Sequence, residues 1–298
     1  MAINIFPKVS IIFPNLNGGI QPIECLSSIQ KLTYPKGKTE VIVVDNGSTD
    51  GSCEEIAKKF PNVILIKLKA DIGFAASINL GIRNSNGSYI FVGNDDIIFE
   101  KKSIAEMVFC LQKNKNIAVL GGKVFYKDKS NVLTDSASDF NFYSGSIKPS
   151  NLRSNRPRIL WLQSCAVMVP KAVFKKIGLF DKDFYPIYFD DFDFCLRATR
   201  AGYKLYYCPE AVFWHGYGKT TKKSSSFNFF YWWYKNKIRF ILKNANLLQI
   251  LSSISVQLLL IPFSFLKMKD FDRGRAILKA FWWNIKNLSP TISSRNKI

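Results

Sequence analysis

Two short runs of apolar and β-branched residues, Val9 to Pro14 and Glu40 to Val44, each give way abruptly to polar, turn-prone clusters, NLNGG and DNGSTDGS. Each run is too short for a helix and reads as a buried strand feeding a loop. Between them, Pro22 to Leu32 spaces its apolar residues at helical intervals, and after Asp50 the pattern predicts a helix over Cys53 to Phe60. Val63 to Lys67 follows as a strand, Ala75 to Asn84 as a helix, and Tyr89 to Val92 as a strand that stops at Gly93-Asn94-Asp95-Asp96. Strands alternating with helices predict a parallel sheet covered on both faces. In such sheets ligands bind beyond the carboxyl ends of the strands. Three polar clusters, Asn15 to Asn17, Asp45 to Asp50 and Asn94 to Asp96, fall at such ends and are expected to converge on one crevice.

Further along, Lys127 to Arg158 is polar and irregular, a loop or a β excursion over the site. Regular patterning returns with an apolar strand over Leu160 to Pro170 that carries Gln163, Ser164 and Cys165. A short helix over Ala172 to Ile177 and a longer one over Asp191 to Ala201 precede strands at Lys204 to Tyr207 and Ala211 to Trp214. No internal repeat is visible.

Composition narrows the class. Hydrophobic residues make up 47% and charged residues 21% of the 298, which suits a folded globular chain. The formal charge of +20 implies a polyanionic partner: nucleic acid, anionic lipid or a phosphate-bearing substrate. Where the charge lies favours lipid. From Ser226 to Ile298 there are 12 basic and 2 acidic residues among many Phe, Trp, Leu and Ile, a mixture suited to a bilayer interface. Nucleic acid is supported by net charge alone, since no recognised binding module is present. Six scattered cysteines without a CxxC pair fit a reducing compartment. Met1 to Lys8 lacks the features of a signal peptide, so the catalytic part is expected to stay in the cytoplasm.

Three groups carry candidate chemistry. Asp95 and Asp96 sit at a loop start after an apolar strand, where paired carboxylates hold a divalent cation whose other positions take diphosphate oxygens; an ordinary solvated turn is the alternative. Asp190, Asp191 and Asp193 lie within the hydrophobic string YPIYFDDFDFCLRA. Acidic residues in a first helical turn are ordinary caps, but three within four residues exceed what capping needs, and one with a raised pKa would serve as general base. His215, the one histidine in the chain, closes a predicted strand, and its place there points to metal binding over a purely structural role. The following GYGKTTKK supplies glycines and cations suited to closing over a phosphate.

With these pieces in order, the chain resembles the family 2 glycosyltransferases of GT-A fold, particularly rhamnosyltransferase-like members. VSIIFPNLNG, VIVVDNGSTDGS, DIGFAASINLGI, FVGNDD and GLFDKDFYPIYFDDFDFCLRATRAGYKLYYCPEAVFWHGYG occur in family order across about residues 8 to 218. The resemblance implies an α/β catalytic domain of GT-A fold over 1–225; composition adds a basic, aromatic-rich helical membrane-associating tail over 226–298. It implies that Pro14, Asn15, Asn17, Asp45 and Asn46 line a nucleotide pocket, with Gly73, Phe74, Ala75, Asn79 and Asn94 nearby. Asp95 matches the last carboxylate of the family's DxD metal motif, with Asp96 as helper and His215 completing a Mg²⁺ or Mn²⁺ site, and Asp191 matches the family's base. Two departures stand out: Gly93 replaces the first acidic residue of DxD, and Asn46 replaces an Asp that faces the base in many relatives, leaving uracil and thymine donors both open. The implied activity is inverting transfer of a sugar from a nucleotide-diphosphate donor (dTDP-rhamnose-like or UDP-sugar) to a glycan or lipid-linked acceptor. A non-catalytic, metal-deficient sugar- or membrane-binding relative is the alternative. A Rossmann oxidoreductase is disfavoured because no GxGxxG follows the first strand.

The tail runs 23 residues without a charge from Asn244 to Leu266, long enough to cross a bilayer. Serines, glutamines and Pro262 dilute it, and eight cations follow it, which a span from the cytoplasm would put outside against the positive-inside tendency. An in-plane or re-entrant helix at the cytoplasmic face is therefore preferred, over a span or a helix packed on the protein's own core. Removal of the tail is expected to abolish membrane binding and spare donor binding.

Overall fold

A computed structural model describes residues 6–133, 137–151, 159–216, 225–266 and 270–295. Its first half follows the sequence pattern closely: β1 (Val9–Asn15), α1 (Gln21–Gln30), β2 (Thr39–Asp45), α2 (Ser52–Lys59), β3 (Ile64–Lys67), α3 (Phe74–Arg83) and β4 (Tyr89–Gly93). β1 to β4 are mutually parallel, in the order β3-β2-β1-β4. Both faces are covered. In β1, Ile11 and Phe13 enter one core with Phe91, Ile104 and Met107, whereas the intervening Ile12 enters the other with Val44, Ile78 and Val92. Side chains of a strand alternate between faces, so two buried faces demand an unbroken apolar run.

Beyond β4 come β5 (Ile97–Phe99), α4 (Ser103–Lys113) and β6 (Ile117–Tyr126), a stretch for which the pattern predicted no elements. The sheet then departs from the parallel expectation. β11 (Ala166–Pro170) inserts antiparallel between β4 and β6, and β5 runs antiparallel to β12 (Lys204–His215), giving a mixed sheet of nine strands among the described residues. The two strands expected at Lys204 to Tyr207 and Ala211 to Trp214 are one, interrupted by a register shift between Cys208 and Val212. Pro209, which has no amide hydrogen to give, lies in that interruption.

The single strand expected over Leu160 to Pro170 is also corrected. Trp161 and Leu162 form β10 in a second, three-stranded sheet with β8 (Ala137–Asn141) and β9 (Ser146–Pro149), while β11 belongs to the main sheet. Between them Gln163, Ser164 and Cys165 cross from one sheet to the other. The polar stretch from Lys127 is thus a β excursion, including β7 (Lys129–Leu133) paired with β6; 134–136 and 152–158 lie outside the described residues.

Helices α5 (Lys171–Ile177) and α6 (Asp190–Arg200) are followed, among the described residues, by four C-terminal helices: α7 (Ser226–Asn244), α8 (Leu247–Leu266), α9 (Phe271–Lys286) and α10 (Leu288–Ser293). One side of α7 enters a core that joins Phe240 and Ile241 to Phe140 of β8 and to Phe189, Phe192 and Leu196 at α6. Its other side packs Tyr234, Ile238 and Leu242 on Ile277 and Ala280 of α9. Four of the tail's cations, Lys235, Lys237, Arg239 and Lys243, are consequently buried instead of facing a bilayer.

Candidate active site

The parallel register sets Asn15 opposite Asp45 at the ends of β1 and β2. Asn15 is fully buried, and its Nδ2 donates to Asp45 Oδ1 at 2.7 Å, Ser52 Oγ at 3.0 Å and Ser48 Oγ at 3.1 Å. Asp45 Oδ2 accepts from the Ser48 amide at 3.0 Å, and Asn17 Oδ1 accepts from the Thr49 amide at 2.8 Å. These residues tie the two strand-end loops together. Pro14 and Asn46 line the cavity itself, with Asn46 Oδ1 oriented by the Ser77 hydroxyl at 2.8 Å.

Gly73 and Phe74 also line the cavity, whereas Ala75 and Asn79 are buried in α3 beneath it. Asn79 grips Phe180 from both sides, donating to its carbonyl at 2.8 Å and accepting from its amide at 3.0 Å. Gly73 has φ +82°, and a Cβ there would lie 2.8 Å from the Tyr185 ring and 3.0 Å from the Pro186 carbonyl, so a side chain is excluded on both counts. Asp71 Oδ1 accepts from the Gly73 amide at 2.8 Å, and the Phe74 amide donates to the Pro186 carbonyl at 2.8 Å.

Asn94, Asp95, Asp96 and His215 meet because β12 pairs with β5 in a register that places His215 opposite Ile97, one residue beyond Asp96. His215 Nε2 lies 3.0 Å from Asp96 Oδ1 and 3.1 Å from Asn94 Nδ2. Asp96 Oδ1 is buried and has no hydrogen-bond donor of adequate geometry among the described residues. A Cβ at Gly18 would sit 2.4 Å from Asp95 Oδ2 and 2.6 Å from Asn15 Oδ1, so the loop after β1 passes directly against the Asp95 carboxylate. Carboxylate oxygens with one imidazole suit a hard divalent cation. Among the described residues no three His, Cys, Asp or Glu side chains form a metal-binding group, so these residues would hold such an ion only together with ligand oxygens. Of the GYGKTTKK stretch, 217–223 lie outside the described residues.

The three carboxylates at the start of α6 divide by direction. Asp191 lines the cavity at 9% exposure, accepting from the Ser164 amide and hydroxyl, each at 3.3 Å, and from its neighbour Phe192's amide at 2.9 Å. Burial pushes its carboxyl above the ordinary range, although the Ser164 contacts favour the anion. Asp190 is raised well above that range, by burial and by the charge of Asp191, and its Oδ2 has no hydrogen-bond partner among the described residues. Asp193 is fully buried away from the cavity, between Arg197 Nε at 2.9 Å and Lys243 Nζ at 2.8 Å. Just before α6, Tyr188 and Phe189 hold positive φ of 78° and 69°, conformations that cost energy for side chains of this size. Asn236 of α7 braces them: fully buried, its Nδ2 donates to the carbonyls of Phe184 at 2.8 Å and Ile187 at 2.7 Å.

One cavity of about 920 Å³ joins these parts. Pro14, Asn46, Gly73, Asn94 to Asp96 and His215 line it together with Asp191, while Trp161, Ile147, Tyr188, Phe229, Trp232 and Trp233 give it an apolar wall. The sequence had not pointed to that wall. Phe229, Trp232 and Trp233 belong to the segment whose composition suggested a membrane surface, and Trp161 carried no polar signal.

Residues 10–178 match the family described as Glycosyl transferase family 2. The O-antigen chain rhamnosyltransferase WbaN of Salmonella anatum is 25% identical over 221 residues, 73% of this chain and 69% of that protein. Glycosyltransferase RT0329 of Rickettsia typhi is 31% identical over 209 residues, 69% of this chain and 63% of that protein. The chain therefore spans about two thirds of the length of these relatives. Among solved structures, the mannosyltransferase PcManGT of Pyrobaculum calidifontis in complex with GDP-Man and Mn²⁺ superposes with a TM-score of 0.58 at 15% identity, covering 98% of this chain and 84% of that one. The shared architecture is the GT-A fold.

Proposed function

The chain belongs to glycosyl transferase family 2, and we propose that it is an inverting, metal-dependent glycosyltransferase. In this reading it moves a sugar from a nucleotide diphosphate, dTDP-rhamnose-like or UDP-linked, to a glycan or lipid-linked acceptor at the cytoplasmic face of a membrane, with 226–298 as the membrane-associating part. The observation that carries it is the meeting, in one cavity, of the buried Asp191 with the group Asp95, Asp96 and His215. The rhamnosyltransferase WbaN favours a deoxyhexose donor, and the Mn²⁺ and GDP-Man bound to PcManGT favour a divalent ion with a nucleotide sugar.

Asp95, Asp96 and His215 would hold Mg²⁺ or Mn²⁺, which supplies charge compensation to the departing diphosphate. Pro14 and Asn46 bound the nucleotide, on loops fixed by Asn15, Asn17 and Asp45; Gly73 and Phe74 continue that wall, and Asn79 supports it from below. Asp191, ionised, removes the proton from the acceptor hydroxyl as its oxygen attacks the anomeric carbon. A single displacement inverts that carbon. Ser164 steers the Asp191 carboxylate, and a neutral Asp190 leaves the pair with one charge.

The test is release of nucleoside diphosphate by the purified chain from a panel of dTDP-, UDP- and GDP-sugars. Turnover of one donor, lost in excess EDTA and restored by Mn²⁺ or Mg²⁺, is expected. Undiminished turnover in EDTA removes the metal from the reading. Nucleotide binding without turnover of any donor favours the non-catalytic alternative, for which Gly93 is the sequence argument.

A further inference from the structure

Helix α8 has its polarity inverted. Ser253, Gln257 and Ser264 share one face and are at most 1% exposed, while Leu247, Leu248, Leu251, Leu259 and Leu266 on the opposite face are 57–80% exposed. A surface helix of a water-soluble protein does the reverse. The inward polar face is docked on protein: Gln257 Nε2 donates to the Ser144 carbonyl at 3.1 Å, and a Cβ on Gly145 would touch both Ser253 Oγ and Gln257 Nε2 at 2.9 Å. Exposed Ser255 satisfies its own hydroxyl on the Leu251 carbonyl at 2.9 Å. Alongside, α9 buries Ile277 and Ala280 against α7 but turns Phe271, Leu278, Trp282 and Ile285 outward at 50–64% exposure. Arg275, Lys279 and Lys286 are exposed on the same helix.

From this we infer that α8 and α9 form a single docking face for an anionic bilayer, lying in its plane with α8 not crossing it. This rests on the proposed membrane association and specifies its geometry. At 20 residues α8 is long enough to span. Its middle, however, is fastened to the turn between β8 and β9, and a span would carry that strand pair into hydrocarbon, where open sheet edges are not tolerated. Lying flat, the outward leucines enter the acyl boundary, Trp282 sits at headgroup depth, and the cations of α9 extend to lipid phosphates. The formal charge of +20 selects an anionic surface. The geometry also sets the cavity beside the lipid. The Gly145 turn held by α8 leads directly into β9, whose Ile147 and Pro149 line the cavity. An acceptor anchored in that bilayer reaches Asp191 along this wall.

Flotation of the full chain with sealed phosphatidylcholine vesicles, with and without phosphatidylglycerol, tests the face. Binding to the anionic vesicles is expected, weakened by salt, and reduced by about a hundredfold in the double variant Leu259→Glu/Trp282→Glu. Neither residue touches the cavity, so that variant should keep donor turnover, which separates loss of the face from loss of the fold. Failure of the unsubstituted chain to float, or undiminished flotation of the variant, overturns the proposal. So does a finding by light scattering that the unsubstituted chain is a dimer that the variant splits, since the face would then join two copies. For topology, Glu54→Cys and Ser289→Cys are labelled in sealed membrane vesicles with an impermeant maleimide, above the background of the unsubstituted chain. Labelling of both from the same side is expected; opposite sides would make α8 a span. Flotation, light scattering and maleimide labelling do not depend on catalysis, and an unchanged thermal transition of the variant shows an intact fold where no donor is turned over, so the membrane proposal can fail while the glycosyltransferase reading stands, and the reverse.

Discussion

Asp191 and Asp193 differ by two positions, a rotation of about 200° on a helix, so little more than half a turn sends them to opposite surroundings. Asp191→Asn should lower transfer by about 10²-fold or more and leave nucleoside diphosphate affinity within a few-fold, because an amide keeps the shape but cannot take the proton. Asp193→Asn should retain more activity and lose about 3 kcal/mol of stability, since Arg197 would be left buried opposite a neutral group while Lys243 keeps its pairing with Asp181. Kinetics and urea denaturation on the two variants separate these outcomes; a dead Asp193→Asn of normal stability would move the base to that residue. The pH profile gives a second check. Burial raises the Asp191 carboxyl, and the base works only when ionised, so kcat/KM should fall with decreasing pH through an apparent pKa above the ordinary carboxylate range. That acid limb should vanish in the residual rate of Asp191→Asn.

At the scale of the element, α7 is unusual in burying cations on a helix whose composition suggests a surface. Burial, helped by the nearby charge of Arg273, lowers the Lys237 amine to about 8. A lysine depressed in the folded state costs stability below its folded pKa, where it is protonated in both states, and that cost is relieved as pH rises from about 8 towards its unfolded value near 10.4. Lys237→Met keeps the stem and drops the charge. It should therefore be more stable than the unsubstituted chain at pH 7 by on the order of 1–2 kcal/mol, read as a higher unfolding temperature. The gain should shrink above pH 8. A variant less stable at pH 7 would mean that the amine has a counter-charge of real value.

For the whole molecule, the packing of the helices after Ser225 predicts that they do not behave as a detachable anchor. A chain ending at Ser225 loses Phe240 and Ile241 from a shared core, Asn236 from behind the strained Tyr188–Phe189 backbone, and Trp232 and Trp233 from the cavity. This packing leads to a prediction opposite to the sequence-based expectation that donor binding survives tail removal. The truncated chain should show no cooperative thermal transition and bind nucleoside diphosphate at least about tenfold more weakly; each large apolar group lost from a core costs roughly 2–5 kcal/mol, comparable in sum to the stability of a domain. Full-length affinity in the truncated chain, read by calorimetry, would restore the simple boundary.

The strand-end clusters, the alternation of strands and helices and the carboxylate-rich start of α6 were legible in the sequence because they rest on local rules: apolar runs for strands buried on both faces, polar punctuation where a chain leaves the sheet, acids where a helix begins. Which clustered residues reach the cavity was not. Asn15, Asp45 and Asn79 share the polarity of Asn46, yet they are spent on fastening loops, and the difference lies in partners brought from 30 to 101 residues away. The mixed sheet escaped for the same reason, because β11 runs antiparallel through a pairing that its own residues do not announce. Aromatic and basic composition after Ser225 marked a helical tail but averaged over its sides. Only packing assigned Lys235, Lys237, Arg239 and Lys243 to the interior, Trp232 and Trp233 to the cavity, and the leucines of α8 to the outside, since a side chain's surroundings are fixed by neighbours distant in sequence.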